Sequence, residues 1–191
     1  MDVSVIAFLS LLAAVAALRV VELVISRRHQ RELIARGARK VAEPYFQWMV
    51  LVHIGVLGGA ALEVVLLKRP FHPVLGGVMG AVFLCANLVR WWVIHTLGAH
   101  WNVQVMDSAR LGVVTRGPYR YVRHPNYSAI FAELIALPMI HTAWLTALAG
   151  VAGQIFVLSR RLAVEEAVLL ADPGYRETMA HKPRFLPRLF G

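Results

Sequence analysis

The segment Arg116-Gly117-Pro118-Tyr119-Arg120-Tyr121-Val122-Arg123-His124-Pro125-Asn126-Tyr127 is the densest gathering of reactive side chains in the chain. Arginine can place an anion, and histidine can accept a proton near neutral pH. Gly117-Pro118 spells a turn. Pro125 pushes His124 away from helical backbone and is itself suited to open a helix. The segment therefore reads as a shaped helix entry with polar groups at its mouth. The same composition also describes a basic-aromatic belt that anchors a helix at a lipid interface.

A second cluster is Arg160-Arg161-Leu162-Ala163-Val164-Glu165-Glu166. Arg161 and Glu165 are four apart and share a helix face, which by pattern alone describes a surface ion pair of small energy. A third group, Asn87, Arg90 and His95, lies inside an apolar run, where charges usually face a cavity or a partner. A long arginine there can also snorkel to the interface. Glu133 raises the same question in a later apolar segment. Glu63, near the far interface, is expected to be solvated, and His53 to be a packed histidine. Cys85 has no partner for a disulfide, no cysteine–histidine metal spacing exists, and a packed, inert thiol is expected.

The elements that must hold these groups are apolar. The 191-residue chain is 58% hydrophobic and 16% charged, with a mean hydropathy of +0.60; soluble domains carry about 25% charge. The length suits one domain. Spans are expected at Val3–Ile25, Tyr45–Leu67 and Pro73–Leu97, each long enough for a bilayer. The first lacks the basic start and cleavage site of a signal peptide and reads as retained. Within it Arg19 and Glu22, three apart, can pair. Ser26–Pro44 is arginine-rich and fits a helix that runs past the membrane into the headgroups. Gly98–Asn126 is a long polar stretch. Tyr127–Ile140 and Ala143–Ser159 form a helical hairpin whose limbs are shorter than a full span. The chain turns polar at Arg160; Leu162–Ala171 and Tyr175–His181 are short helices, and Lys182–Gly191 is an extended tail. The fold class is all-α integral membrane, with about five transmembrane helices including that C-terminal hairpin.

The net charge of +9 is not distributed as in a nucleic-acid binder. Lysine and arginine number six in Ser26–Pro44, four in Gly98–Asn126 and six in Arg160–Gly191, against Lys68 and Arg69 alone on the other side. The positive-inside rule puts the long basic loops and the C-terminus in the cytoplasm, of the inner membrane if the source is bacterial. All the candidate chemistry then sits on one side.

With these clusters on the page, the sequence resembles the isoprenylcysteine carboxyl methyltransferase family. The resemblance runs from about Asn87 to Leu189. It is carried by Leu97-Gly98, Trp101-Asn102-Val103-Gln104, Gly117-Pro118-Tyr119, Arg123-His124-Pro125-Asn126-Tyr127, Glu165-Glu166, Tyr175 and Arg184-Phe185-Leu186-Pro187. It implies a single membrane methyltransferase domain over residues 1–191, with N-terminal spans over 1–86 and the cofactor-binding and catalytic part over 87–191. It implies S-adenosylmethionine as cofactor, in a pocket open to the cytosol. Cofactor contacts implied by residue match are Gln104, Leu111, Gly112, Val113, Val114, Tyr119, His124, Pro125, Asn126, Tyr127 and Glu165. Arg161 matches a substrate-orienting arginine, and Arg123 and Glu166 match its active-site neighbours. Glu165 would hold a donor hydrogen of the cofactor, and Tyr119 or Tyr127 would stack on its adenine. The lipid substrate would enter sideways between helices. The chain departs from the family in having Ala129 in place of a glycine and Thr178 in place of a second tyrosine.

The acceptor is open at this level. A prenylcysteine-type carboxylate is already ionised at neutral pH and needs placing by arginine, not a base. A lipophilic phenol, such as an alkylresorcinol or alkylpyrone, would gain from a base; His95, His100, His181 and Glu133 are the candidates. An amine headgroup is a third acceptor. A non-enzymatic membrane scaffold or transport subunit is the alternative class; a scaffold has no reason to bind S-adenosylmethionine, and a transporter would need polar groups on both sides of the midplane. No metal and no nucleic-acid partner are expected, and oligomeric state is not readable.

Overall fold

A computed structural model describes residues 2–187. The end of the expected tail, from Arg188 through Leu189 to Gly191, lies outside the described residues. The chain is built of helices α1 (Val3–Ala35), α2 (Phe46–Leu66), α3 (Pro73–Leu97), α4 (Pro125–Met139), α5 (Trp144–Ala171) and α6 (Pro173–Met179). Four of them (α1, α2, α3 and α5) are long and apolar enough to cross a membrane.

Helix boundaries follow local chemistry. The 33 residues of α1 span about 50 Å, against about 30 Å of hydrocarbon. Its basic end, with Arg27, Arg28 and Arg31 exposed, therefore runs on beyond the apolar segment, as expected. Pro73 and Pro125 occupy the first turns of α3 and α4. Gly98, at φ +53°, ends α3. The 15 residues of α4 reach only about 22 Å, so this limb of the hairpin is shorter than a span. One expectation is corrected: Ala143–Ser159 and Leu162–Ala171 are parts of a single helix, α5. Arg160 and Arg161 are good helix formers, and their charge marks a change of surroundings, not a break. The final helix also differs, running Pro173–Met179 in place of Tyr175–His181, with the Asp172 side chain capping Tyr175 N at 2.9 Å.

Packing places α4 against α3 and α5, α2 along α5, and α1 beside α2. The α2–α5 contact is close because Gly150 and Gly153 lie under Val56 and Val52. Large apolar side chains face outward, among them Leu51, Ile54 and Leu62 on α2, Leu84 and Leu88 on α3, and Leu148, Ile155 and Phe156 on α5. Such a surface is stable in lipid, not in water. Cys85 belongs to it: the thiol expected to be packed is exposed. Glu63 is the opposite correction. It is buried, accepts from Leu145 N (3.2 Å), Thr146 N (2.7 Å) and Thr146 Oγ1 (2.7 Å), and pairs with Arg69 at 2.8 Å. A carboxylate supplied from α2 thus caps α5 across the helix interface.

At the opposite, basic end, the polar stretch between α3 and α4 folds over the bundle. Strand β1 (Arg39–Lys40) pairs antiparallel with β2 (Met106–Asp107), in register Arg39↔Asp107 and Lys40↔Met106. Short 3-10 turns at Gly98–His100, Ala109–Leu111 and Gly117–Arg120 make up much of the rest.

Candidate functional site

The loop over the bundle is pinned by side chains from α1, from α5 and from the segment between β1 and α2. Ser26 Oγ accepts from Val103 N at 2.9 Å, and His29 Nδ1 lies 2.8 Å from the Trp101 carbonyl. Glu43 accepts from Val105 N at 3.1 Å, and Arg161 Nη2 donates to the Val103 carbonyl at 2.7 Å. Glu43 also pairs with Arg161 Nη1. Tyr175 and Met179 of α6 pack with Ala109, Val113 and Tyr119, which fixes the far part of the loop.

The entry to α4 is held with equal care. The Pro183 and Arg184 carbonyls accept from Arg123 N (2.9 Å) and His124 N (2.8 Å), and the Phe185 carbonyl accepts from Ser128 Oγ (2.7 Å). The C-terminal segment is therefore a strap across the turn. Glu166 lies behind the same turn, 3.1 Å from Arg123 Nη1, 3.2 Å from His124 Nε2 and 2.6 Å from Arg184 Nη2.

The expected surface pair of Arg161 and Glu165 is corrected. Arg161 is buried, and the Tyr127 hydroxyl stands between the two residues, accepting from Arg161 Nε at 2.8 Å and donating to Glu165. Of the five guanidinium N–H groups, one goes to Tyr127, one to Glu43, one to Met49 Sδ (3.4 Å) and one to the Val103 carbonyl. One remains.

These groups surround a cavity of about 440 Å³, within the usual range for small-molecule sites. Among the residues expected at a site, Gln104, Gly112, Val113, Val114, Tyr119, Arg123, His124, Asn126, Tyr127, Arg161 and Glu165 line it. Three do not. Leu111 packs toward Leu33, Ala38 and Met106; Pro125 is buried as the first residue of α4; Glu166 sits behind the wall, holding Arg123 and His124. Gly112, at φ +125° with open space where a Cβ would stand, lets the backbone edge the cavity. Burial, reinforced by Glu165, pushes the Tyr119 and Tyr175 phenols up, so both remain neutral hydroxyls. Burial also raises the Glu43 carboxyl, against the pull of Arg161.

Four of the residues that line the cavity each carry a buried polar atom with no hydrogen bond among the described residues: Trp101 Nε1, Asn102 Oδ1, Arg123 Nε and Asn126 Oδ1. Two are donors and two acceptors as assigned. S-adenosylmethionine carries a carboxylate that needs donors, an ammonium that needs acceptors, and an apolar adenine face. The wall offers all three, so the residues fit that group.

The cavity continues toward the membrane between α1, α2 and α3, past Met49, His53, Ile54, Leu57, Leu23 and Val20. Its inner end is charged. Arg90 grips Glu22 through Nε (2.9 Å) and Nη2 (2.7 Å); Arg19 reaches Glu22 at 2.8 Å, Asn87 at 3.2 Å and Glu133 at 3.4 Å. The sequence pointed to the local Arg19–Glu22 pair, but Glu22's partner on α3 is 68 positions away. Glu43 was missed as well: an acid in an arginine-rich stretch gives no signal beyond solvation. Of the proposed bases, His100 lines the main cavity; Glu133 borders a small adjoining pocket. His95 and His181 line neither. His53, expected to be merely packed, lines both.

Two bacterial proteins are similar to this chain over most of its length. A protein of Bacillus subtilis (strain 168), YpbQ, described as uncharacterized, is 28% identical over 163 residues, 85% of this chain and 96% of its own length. An uncharacterized protein of Haemophilus influenzae is 28% identical over 158 residues, 82% of this chain and 91% of its own. Residues 78–171 match the isoprenylcysteine carboxyl methyltransferase (ICMT) family, from early in α3 to the last residue of α5. Tyr175 and the Arg184–Pro187 strap fall outside the matched stretch, whereas Gln104, the α4 entry, Arg161 and Glu165 fall inside it. Over this stretch, which takes in the loop, the α4 entry and α5, the chain is similar to the ICMT family.

Proposed function

We propose that this protein transfers a methyl group from S-adenosylmethionine to an oxygen of a lipophilic acceptor, a prenylcysteine-type carboxylate or a lipophilic phenol. The observation that carries this reading is the single cavity joining the loop-covered end of the bundle to its membrane interior, with the Arg161–Tyr127–Glu165 chain at the junction. The basic loops face the cytoplasm in this reading, where the cofactor is available.

When bound, S-adenosylmethionine supplies an electrophilic methyl on a sulfonium. The chain's own residues have to align and desolvate, since in-line displacement depends mainly on orientation. Trp101 Nε1 and Arg123 Nε are suited to the cofactor's carboxylate. Glu165, Asn102 and Asn126 are suited to its ammonium or hydroxyl hydrogens. Gln104 and the Gly112–Val114 edge border its place, and Tyr119 and Tyr127 give it an aromatic wall. The remaining Arg161 N–H is aimed at the acceptor oxygen, with Tyr127 and Glu43 holding the guanidinium in one orientation. Glu166 acts through Arg123 and His124 by fixing their position.

The test is titration of S-adenosylhomocysteine by calorimetry on protein in detergent and in nanodiscs, with Glu165→Ala as control. Micromolar binding that the variant loses supports the reading. Absence of binding by folded protein overturns it and favours a scaffold.

A further inference from the structure

The membrane half of the cavity holds a histidine whose protonation pattern is set by its surroundings. His53 Nδ1 lies 2.8 Å from the Met49 carbonyl, one turn earlier on α2. A carbonyl oxygen only accepts, so Nδ1 carries the hydrogen and Nε2 keeps its lone pair. Nε2 makes no hydrogen bond among the described residues, although His53 lines the cavity. Its height along the cavity is fixed by Met49, whose sulfur lies 3.4 Å from Arg161 Nη1. Residues four apart on a helix sit about 6 Å from each other. His53 is therefore about one turn below the arginine that faces the proposed acceptor oxygen.

The other titratable groups around it are committed. From α1, Glu22 is held by both Arg19 and Arg90. From α4, Glu133 faces Arg19, and the Tyr127 hydroxyl is shared between Arg161 and Glu165. His124 has Glu166 at Nε2 and Glu165 near Nδ1. From α3, Arg90 lines the cavity, and its buried Nη1 has no hydrogen-bond partner among the described residues. Among the described residues, His53 thus brings an uncommitted basic lone pair to the inner chamber, which Arg161 and Arg90 also line, while His100, with Nδ1 3.5 Å from Ser108 Oγ, belongs to the loop-covered end.

A carboxylate acceptor has no use for this arrangement, because it arrives ionised. An ammonium acceptor would meet the guanidinium donors with the wrong polarity. A hydroxyl on an aromatic ring, with a pKa near 10, needs a base to take its proton and donors to hold the resulting oxyanion. We infer that His53 is the general base of this protein and that its acceptor is a lipophilic phenol. The inference rests on the methyltransferase reading and sharpens it. The phenol O–H bond breaks and its proton goes to His53 Nε2. The phenolate oxygen bonds to the donated methyl carbon as the carbon–sulfur bond breaks, with that electron pair staying on sulfur. The product is an aryl methyl ether, and the imidazolium returns its proton to water.

The experiment compares wild type with His53→Gln, which preserves a donor for the Met49 carbonyl but has no basic lone pair. Binding of S-adenosylhomocysteine is measured first and is expected to be equal in both. Methyl transfer is then followed to 5-pentadecylresorcinol and to N-acetyl-S-farnesylcysteine across pH. Wild type is expected to methylate the resorcinol, and His53→Gln to do so at least about 100-fold more slowly, the usual contribution of a general base. The variant's remaining rate should rise about tenfold per pH unit toward the phenol's own pKa. A second readout needs no cofactor: 4-dodecyl-2-nitrophenol bound to the protein should show its visible phenolate band at lower pH in wild type than in His53→Gln. Equal rates, pH profiles and phenolate titrations in the two proteins would overturn the role of His53. Methylation of the farnesylcysteine alone would overturn the acceptor class. Wild type that fails to bind S-adenosylhomocysteine would instead remove the methyltransferase reading beneath both.

Discussion

Arg161 and Glu165 stand one turn apart on α5 and are joined through a third residue, the Tyr127 hydroxyl from the first turn of α4. The hydroxyl can serve both because it has one hydrogen to give and lone pairs to receive. Its bond to a buried guanidinium and its bond to a carboxylate are both charge-assisted. A phenol from α4 thus locks the two charges of α5 into fixed orientations around the cavity.

Tyr127→Phe should therefore keep the fold and lose much of the rate. Hydrogen bonds to charged groups contribute about 1.5–3 kcal/mol each, so kcat should fall by about 10- to 100-fold. S-adenosylhomocysteine affinity should change less, because Glu165 itself remains. Steady-state kinetics beside calorimetric binding checks this. A variant with wild-type kcat would mean that Arg161 needs no help from Tyr127.

Glu43 ties Arg161 to the loop, pairing with its guanidinium and accepting from Val105 N. Glu43→Ala removes both ties and leaves a buried charge with one partner fewer, a change that costs about 3–5 kcal/mol in buried pairs. The loop between α3 and α4 should loosen first, because this end depends on such side-chain pins. Trypsin should then cut after Arg110 or Arg116, both exposed, faster than in wild type. Unchanged cleavage kinetics would show that the β1–β2 pairing and Ser26 suffice.

Much of this architecture is legible in the chain. Apolar runs announce α1, α2 and α3, and Pro125 announces the start of α4, because those signals are local. The continuity of α5 was not legible, since Arg160 and Arg161 read as the end of a span when they are the turn at which the helix meets the cavity. Arg161 and Glu165 could be placed on one face, but the insertion of Tyr127 between them depends on how α4 packs on α5. Glu43 and His53 left no trace for the same reason. Their roles come from neighbours on other helices, and neither sits in a pattern that distinguishes a site residue from a solvated or packed one.

The α2–α5 contact makes a prediction about packing alone. A Cβ at Gly150 would stand 2.5 Å from Val56 Cγ2. Val56 is buried and its β-branched side chain is stiff, so it cannot simply turn away. Gly150→Ala should destabilise the protein by about 1–3 kcal/mol, the usual cost of overpacking. Adding Val56→Ala should recover part of the loss by opening the space. Thermal melts in detergent of the two single variants and the double variant measure this. A Gly150→Ala variant as stable as wild type would mean that the helices separate at no cost.

The Glu22–Arg90 pair tests why charges are kept inside the membrane half. Both side chains are buried, and Arg90 meets Glu22 through two hydrogen bonds while Arg19 holds the same carboxylate. Removing one partner strands a buried charge, whereas removing both removes the desolvation cost together with the attraction. Glu22→Gln and Arg90→Gln should each lower stability by about 3–5 kcal/mol, and the double variant by clearly less than their sum. If the pair serves only to join α1 to α3, the double variant should also keep full activity. If Arg90 Nη1 holds the oxyanion of the acceptor, the double variant will fold and bind S-adenosylhomocysteine, yet its kcat/KM for the phenol will fall by about tenfold or more, as expected for loss of a charged hydrogen bond. Measuring melting and turnover on the same four proteins therefore separates a helix tie from a substrate contact, because only the contact leaves a kinetic deficit after stability has returned.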